Sequence, residues 1–241
     1  MRRTTTAAIL LAIMTFTCSN AAYAQSKLED RPYNNINIGA GIGSFREKIV
    51  TTVHYTYANQ TEEDKVQGYE LNYDSRLITV GYERVWKGAH FLFEGKYIQA
   101  KYDASALKDY TNTKYLLLDH SRIEDLSVIS GMLYFGPTIF HGKRFQIPLD
   151  FGIGLTHISG YPIDAMHVEF GYGARAKFYI TDKICVYAGF SGGIAPGKKT
   201  YLEGNLAPQP SNSLKYTAKP KCIDAGISFM IGRAKKSIED W

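Results

Sequence analysis

Residues 145–157 read FQIPLDFGIGLTH, and every second residue is large and apolar: Phe145, Ile147, Leu149, Phe151, Ile153 and Leu155. Between them stand Gln146, Pro148, Asp150, Gly152, Gly154 and Thr156. Successive side chains of a strand point to opposite faces, so this stretch predicts a strand with one apolar face and one small or polar face. The same alternation recurs along the chain. From Met166 to Ile180, Met166, Val168, Phe170, Tyr172, Ala174, Ala176, Phe178 and Ile180 oppose His167, Glu169, Gly171, Gly173, Arg175, Lys177 and Tyr179. From Lys221 to Arg233, Ile223, Ala225, Ile227, Phe229 and Ile231 oppose Cys222, Asp224, Gly226, Ser228, Met230 and Gly232. An early strand sets Ile36, Ile38, Ala40 and Ile42 against Asn35, Asn37, Gly39, Gly41 and Gly43. Leu77 to Trp86, Phe91 to Tyr102, Ser127 to Phe140 and Ile184 to Ile194 bring the strands to eight.

The connections fall into two kinds. Lys87-Gly88-Ala89, His141 to Arg144 and Thr181-Asp182-Lys183 are tight turns. Those from Arg46 to Arg76, Asp103 to Leu126 and Ala195 to Pro220 are long, and that from Ser159 to Ala165 is shorter. An even strand number with tight turns at one end and longer loops at the other predicts an all-β fold, an eight-stranded antiparallel up-and-down transmembrane barrel. Lipid offers no hydrogen-bond partner to a sheet edge, so the first strand is expected to pair with the last.

The start of the chain, MRRTTTAAILLAIMTFTCSNAAYAQ, has a basic n-region at Arg2 and Arg3, an apolar stretch and a small-x-small site at Ala22-Tyr23-Ala24. Residues 1–24 are therefore expected to be a signal peptide, since the apolar stretch falls short of the ~20 residues of a spanning helix. A lipoprotein site at Cys18 is the alternative, but Thr15-Phe16-Thr17 lacks the small residues such sites carry. Residues 25–32 are read as a short leading segment, 33–233 as the barrel and 234–241 as a tail. Loss of Arg2 and Arg3 takes the formal charge from +5 to +3, too mild to indicate nucleic acid. Cys185 and Cys222 remain, at opposite ends of the expected barrel, so no intrachain disulfide is predicted.

Strand parity places Glu83, Glu94, Lys96, Asp150, Glu169, Arg175, Lys177 and Asp224 on the inner face, with Tyr134, Tyr179 and Tyr187. An eight-stranded barrel is just wide enough for side chains to fill, and unpaired charges out of water are costly. This set predicts a packed polar network that plugs the lumen; a narrow small-solute pore is the alternative. Trp86, Tyr82 and Phe91 form an outer aromatic girdle near the tight turns, with Arg84 snorkelling to the interface.

With its signal sequence, strand count and turn order, the chain from Tyr33 to Arg233 resembles the small eight-stranded barrels grouped with outer-membrane proteins A, X and W. The resemblance implies a monomer in the outer membrane of a Gram-negative bacterium, in contact with outer-membrane lipid and lipopolysaccharide. It also implies insertion by the barrel assembly machinery, with Phe229 or Trp241 as the signal; apart from the hydrolase pattern weighed below, the residues point to no enzyme and no cofactor. An extracellular protein ligand for the loops is the partner left open.

Partial alternation in KIVTTVHYTY (48–57) and VQGYELNY (66–73) predicts that the first hairpin continues above the membrane around residues 58–65. KYLLL (114–118) reads as a strand extension or a packing patch. The loop 195–220 sets Lys198, Lys199, Lys215 and Lys219 against Glu203, a basic balance suited to solvent or to lipopolysaccharide phosphates.

The pair His157 and Ser159 followed by Glu169 is similar to the His-x-Ser and Glu of the lipid A deacylases, also eight-stranded barrels. That resemblance implies Ser159 as nucleophile, His157 as base and Glu169 as orienting acid. The chain departs from the pattern with Gly160 where Asn is usual, and with the pair on the fifth strand instead of the penultimate one. Parity further puts Glu169 in the lumen unless a bulge intervenes. The other reading is a turn at Ser159-Gly160-Tyr161-Pro162. His54, His90, His120, His141 and His167 show no metal-ligand spacing, so no metal is expected.

Overall fold

A computed structural model describes residues 32–56, 62–86, 88–109, 122–141, 144–161, 164–181, 183–200 and 213–231. The expected signal peptide, the KYLLL segment and the C-terminal tail lie outside the described residues. The strands are β1 (Tyr33–Thr56), β2 (Glu62–Trp86), β3 (Ala89–Tyr102), a two-residue β4 (Lys108–Asp109), β5 (Leu126–His141), β6 (Phe145–Ser159), β7 (Ala165–Tyr179), β8 (Ile184–Thr200) and β9 (Ser213–Ile231). All pair antiparallel with their neighbours, and β1 pairs with both β2 and β9, so eight staves close into a barrel. β4 lies on the edge of β2, opposite Tyr69 and Glu70.

Closure leaves no open edge in the lipid. The outer wall is the apolar face read from the sequence, with Ile38, Ile78, Phe93, Ile129, Phe151, Phe170, Phe190 and Ile227 all exposed. On β9 this face runs from Ile223 to Ile231. Eight steps of about 3.3 Å at a tilt near 40° cover roughly 20 Å of height, close to the ~25 Å apolar band of outer-membrane barrels. At the tight-turn end Gly88 adopts φ 73°, a left-handed conformation that side chains disfavour. Arg84 lies 5.6 Å from the Trp86 ring and 3.5 Å from Asn34 Oδ1, so its charge is held at the interface. The β5–β6 ladder carries a bulge between Thr138 and Phe140, beside Pro148, which has no N–H to give.

The staves are unequal. β3 ends at Tyr102 and β6 at Ser159, whereas β1 and β2 stay paired from Ser44↔Asp74 to Thr56↔Glu62. β9 follows β1 as far as Thr52↔Ser213, and β8 follows β9 as far as Thr200↔Ser213. A four-stranded sheet, β2-β1-β9-β8, therefore stands above the rim. It contains the expected extension of the first hairpin. It also corrects the long loop read at 195–220: residues 195–200 and 213–220 are strand, because Tyr216 and Ala218 have an apolar interior to bury into.

Candidate functional site

The lumen is layered. Nearest the tight turns, Tyr33, Val85, Tyr179, Cys185 and Met230 cluster, and the Tyr33 hydroxyl donates to Gln146 Oε1 at 2.8 Å. Above them lies the charged layer. Lys177 Nζ is in contact with Glu83 Oε2, which also accepts from Asn35 Nδ2 at 3.1 Å. Arg175 grips Asp150 with two hydrogen bonds, Nε to Oδ2 at 3.0 Å and Nη2 to Oδ1 at 2.7 Å, and reaches Glu94 at 3.7 Å. Lys96 bridges Glu94 Oε1 at 3.1 Å and the Tyr134 hydroxyl at 2.9 Å. Asp224 lines a narrow gap with Glu94, Asp150 and Arg175. Glu169 stands apart from the cations and accepts from Thr156 and, at 3.4 Å, from Ser130.

The charged side chains of Glu83, Glu94, Lys96, Asp150, Glu169, Arg175, Lys177 and Asp224 come from β2, β3, β6, β7 and β9, and the strand period alone brings them to one interior. Sequence parity missed His90, whose Nε2 is 2.8 Å from Asp150 Oδ1. Its signal was present: His90 has the parity of Glu94 and Lys96, but it precedes Phe91, and β3 begins two residues before that, at Ala89. Tyr187 needs glycine opposite it, since a Cβ at Gly39 would lie 2.3 Å from its hydroxyl.

Two features correct the picture of a uniformly polar plug. The extracellular half of the interior is an apolar cluster containing Phe45, Ile49, Tyr69, Leu71, Leu126 and Ile158. Between it and the charged layer lies a cavity of about 1110 Å³, lined on the inner face by Gly43, Ser75, Ala100, Cys222 and Ser191. These residues share one register row around the barrel. The thiols of Cys185 and Cys222 are both buried.

The three residues of the hydrolase pattern are not brought together. The β6–β7 register places Gly154 opposite Glu169 and His157 opposite Met166, with no bulge between them. Glu169 is buried in the lumen, whereas His157 and Ser159 have the opposite parity and face outward. His157 Nε2 instead lies 3.2 Å from Asp164 Oδ1, on the following turn.

A closed eight-stranded barrel with an apolar outer band, a girdle at the tight-turn rim and a polar, charge-paired interior is an integral outer-membrane barrel of the small eight-stranded class. No family model matches the chain, and no curated protein matches it. Solved structures with a similar outline include Neisserial surface protein A, at 10% identity and TM-score 0.37, covering 82% of this chain and 96% of that one. The outer-membrane protease OmpT from Escherichia coli gives 9% and 0.35, covering 86% and 100%. The attachment invasion locus protein Ail of Yersinia pestis gives 13% and 0.30, covering 81% and 99%. At these TM-scores the likeness is one of outline, and the class rests on the closure, the wall and the interior.

Proposed function

We propose that this protein is a closed outer-membrane barrel whose work is done at the cell surface, by the raised sheet formed by β2, β1, β9 and β8. The observation that carries this reading is the asymmetry of the rim. Four staves continue as paired strands beyond the apolar band, over an interior packed with Phe45, Ile49 and Leu71, while the others stop. A structural anchor needs no such extension, and an extended sheet offers backbone edges and side-chain rows to a macromolecule outside the cell. The lumen itself is obstructed by the ion pairs of Glu83, Lys177, Arg175 and Asp150, which leaves no reason to assign it solute passage.

The reading is tested by display. Cells carrying the full chain are compared, for binding to extracellular protein surfaces, with cells in which residues 51–67 are replaced by a two-residue Asn-Gly turn that removes the upper part of the β1–β2 ladder, with folding checked by heat-dependent mobility. Equal binding by both, together with stepwise conductance of the purified protein in planar bilayers, would replace the surface role with a pore. A rim hydrolase is the second reading, favoured by the His157–Asp164 contact on the face that carries Ser159. It requires release of fatty acid from purified lipid A that disappears in Ser159→Ala.

A further inference from the structure

We infer that the cavity beneath the apolar cluster is a binding site for an amphipathic primary amine, its ammonium seated among Asp224, Glu94 and Asp150 and its hydrocarbon part against Leu126. The site goes beyond the surface role, since it lies inside the barrel and not on the raised sheet. It is a seat and not a passage, because the Lys177–Glu83 pair closes the lumen below it.

Asp224 is the residue that the barrel leaves unbalanced. It points inward from β9, one inward position below Cys222, and is 6% exposed. The carboxylates around it have cations: Glu83 has Lys177, Asp150 has Arg175 and Glu94 has Lys96. Asp224 has neither a hydrogen bond nor an ion pair among the described residues. A carboxylate buried in that way is costly. It faces a narrow gap that Glu94, Asp150, Arg175, Thr79 and Tyr134 also line. Lys96 stands at the edge of this gap, bonded to Tyr134 and, at 3.3 Å, to Ser191 Oγ. Three carboxylates therefore meet two cations, and one further positive charge brings the set to balance. His90 does not supply it. Its Nε2 is at Asp150, and its Nδ1 has no hydrogen-bond partner, so a second proton on the ring would be unsatisfied.

Size and surroundings select the kind of cation. The gap has a volume of about 10 Å³, room for one group the size of a water. A primary ammonium fits it and brings three N–H donors, whereas a trimethylammonium does not fit. Among the described residues no three carboxylate, histidine or cysteine side chains are placed to hold a metal ion, which favours an organic cation. Ser191 lines both the gap and the cavity of about 1110 Å³ above it, so the two adjoin. That volume stands at the upper end of small-molecule sites, and Leu126 of the apolar cluster lines it. Asp125 and Ser127 line it as well, where β5 begins at the low side of the rim, so the approach is from the aqueous side.

The test uses the refolded protein, isotope-labelled at its leucine methyl groups, in phosphatidylcholine nanodiscs. Hexylamine is expected to shift the Leu126 methyl resonances saturably. Hexanol, which lacks the charge, and hexyltrimethylammonium, which exceeds the gap, are expected not to. Asp224→Asn should bind hexylamine at least roughly tenfold more weakly, a charge-assisted hydrogen bond being lost, and should fold as stably as wild type without it. Ala100→Leu, whose added bulk enters the cavity, should weaken hexylamine comparably with every charge in place. Glu169→Gln should change nothing, because that carboxylate already accepts from Thr156 and Ser130. Equal hexylamine affinity in wild type and Asp224→Asn overturns the site, and so does equal binding of hexanol or hexyltrimethylammonium. Leu126 shifts that arise on changing the lipid to phosphatidylethanolamine, with no hexylamine added, would make the occupant a lipid headgroup and overturn the soluble ligand.

Discussion

Glu47 offers the sharpest test of the interior above the membrane. It lies on β1, fully buried on the inner face beside Phe45 and Ile49, while its neighbours Arg46 and Lys48 point outward. The Tyr73 hydroxyl donates to Oε2 at 3.2 Å, and Oε1 has no hydrogen-bond partner among the described residues. Burial pushes the carboxyl from its ordinary 4.5 up to about 7, with the Tyr73 hydrogen bond pulling the other way. The folded state thus holds this proton more tightly than the unfolded chain does. Its contribution to stability is complete below pH 4.5 and is lost as the pH rises through 7. At about 1.4 kcal/mol per tenfold, the loss amounts to about 3 kcal/mol at pH 8.5. Glu47→Gln keeps an oxygen for Tyr73 and stays neutral throughout. Urea unfolding in lipid vesicles should therefore find the variant about 3 kcal/mol more stable than wild type at pH 8.5, relative to their difference at pH 4.5. Any fixed cost of the amide shifts both ends of that comparison equally. Wild-type and variant stabilities that run parallel across this range would refute the reasoning.

Lys177→Met strands the Glu83 carboxylate without its cation and should cost about 3 to 5 kcal/mol in urea unfolding, most of it returned by adding Glu83→Gln. Gly226→Ala places a Cβ 2.2 Å from the Ile38 carbonyl oxygen and 2.7 Å from the Tyr187 ring, for an expected loss of about 1 to 3 kcal/mol. Gly131→Ala, where no atom lies within 4 Å, should stay within about 0.5 kcal/mol of wild type in the same assay. Both Cys185 and Cys222 should react with a maleimide in denaturant without reductant and resist it in the folded barrel, where both are buried, and thiols blocked in the unreduced chain would contradict the expectation that they form no disulfide with each other.

The wall was legible because lipid imposes a strict rule on it: each outward residue from Phe145 to Leu155 must be apolar, and a period of two survives without knowledge of the partners. The charged layer was legible for the same reason, since polar residues at inward parity have no other place to go. Which charges meet was not legible, because Lys177 and Glu83 are 94 residues apart and their contact depends on the barrel's stagger. The cavity was also hidden: Gly43, Ser75, Ala100, Cys222 and Ser191 are unremarkable one by one and come together around it only when the register sets them in one row. The candidate triad had a legible negative, because parity alone separated His157 from Glu169. The Asp164 contact was not foreseeable, since turn residues escape the strand period.

The strands above the membrane explain why loops were read where strands exist. On β1 the outward residues are apolar up to Ile42, and above it the inward face carries Phe45 and Ile49, with Glu47 between them. β2 switches between Leu77, which is buried, and Ile78, which is 58% exposed. β9 switches between Tyr216 and Ala218 inside and Ile223 outside. No register shift accompanies the inversion, because Ile42 is partnered by Arg76 on one side and Ile223 on the other. The same ladder therefore crosses from a solvent that favours apolar groups outside to one that favours them inside, and the amphipathic pattern reverses around a fixed backbone. A search for one continuous apolar face ends at that point and reports a loop. The reversal is itself a ruler: it places the upper boundary of the lipid at the level of Ile42, Leu77 and Ile223, directly beneath Lys221 and Arg46.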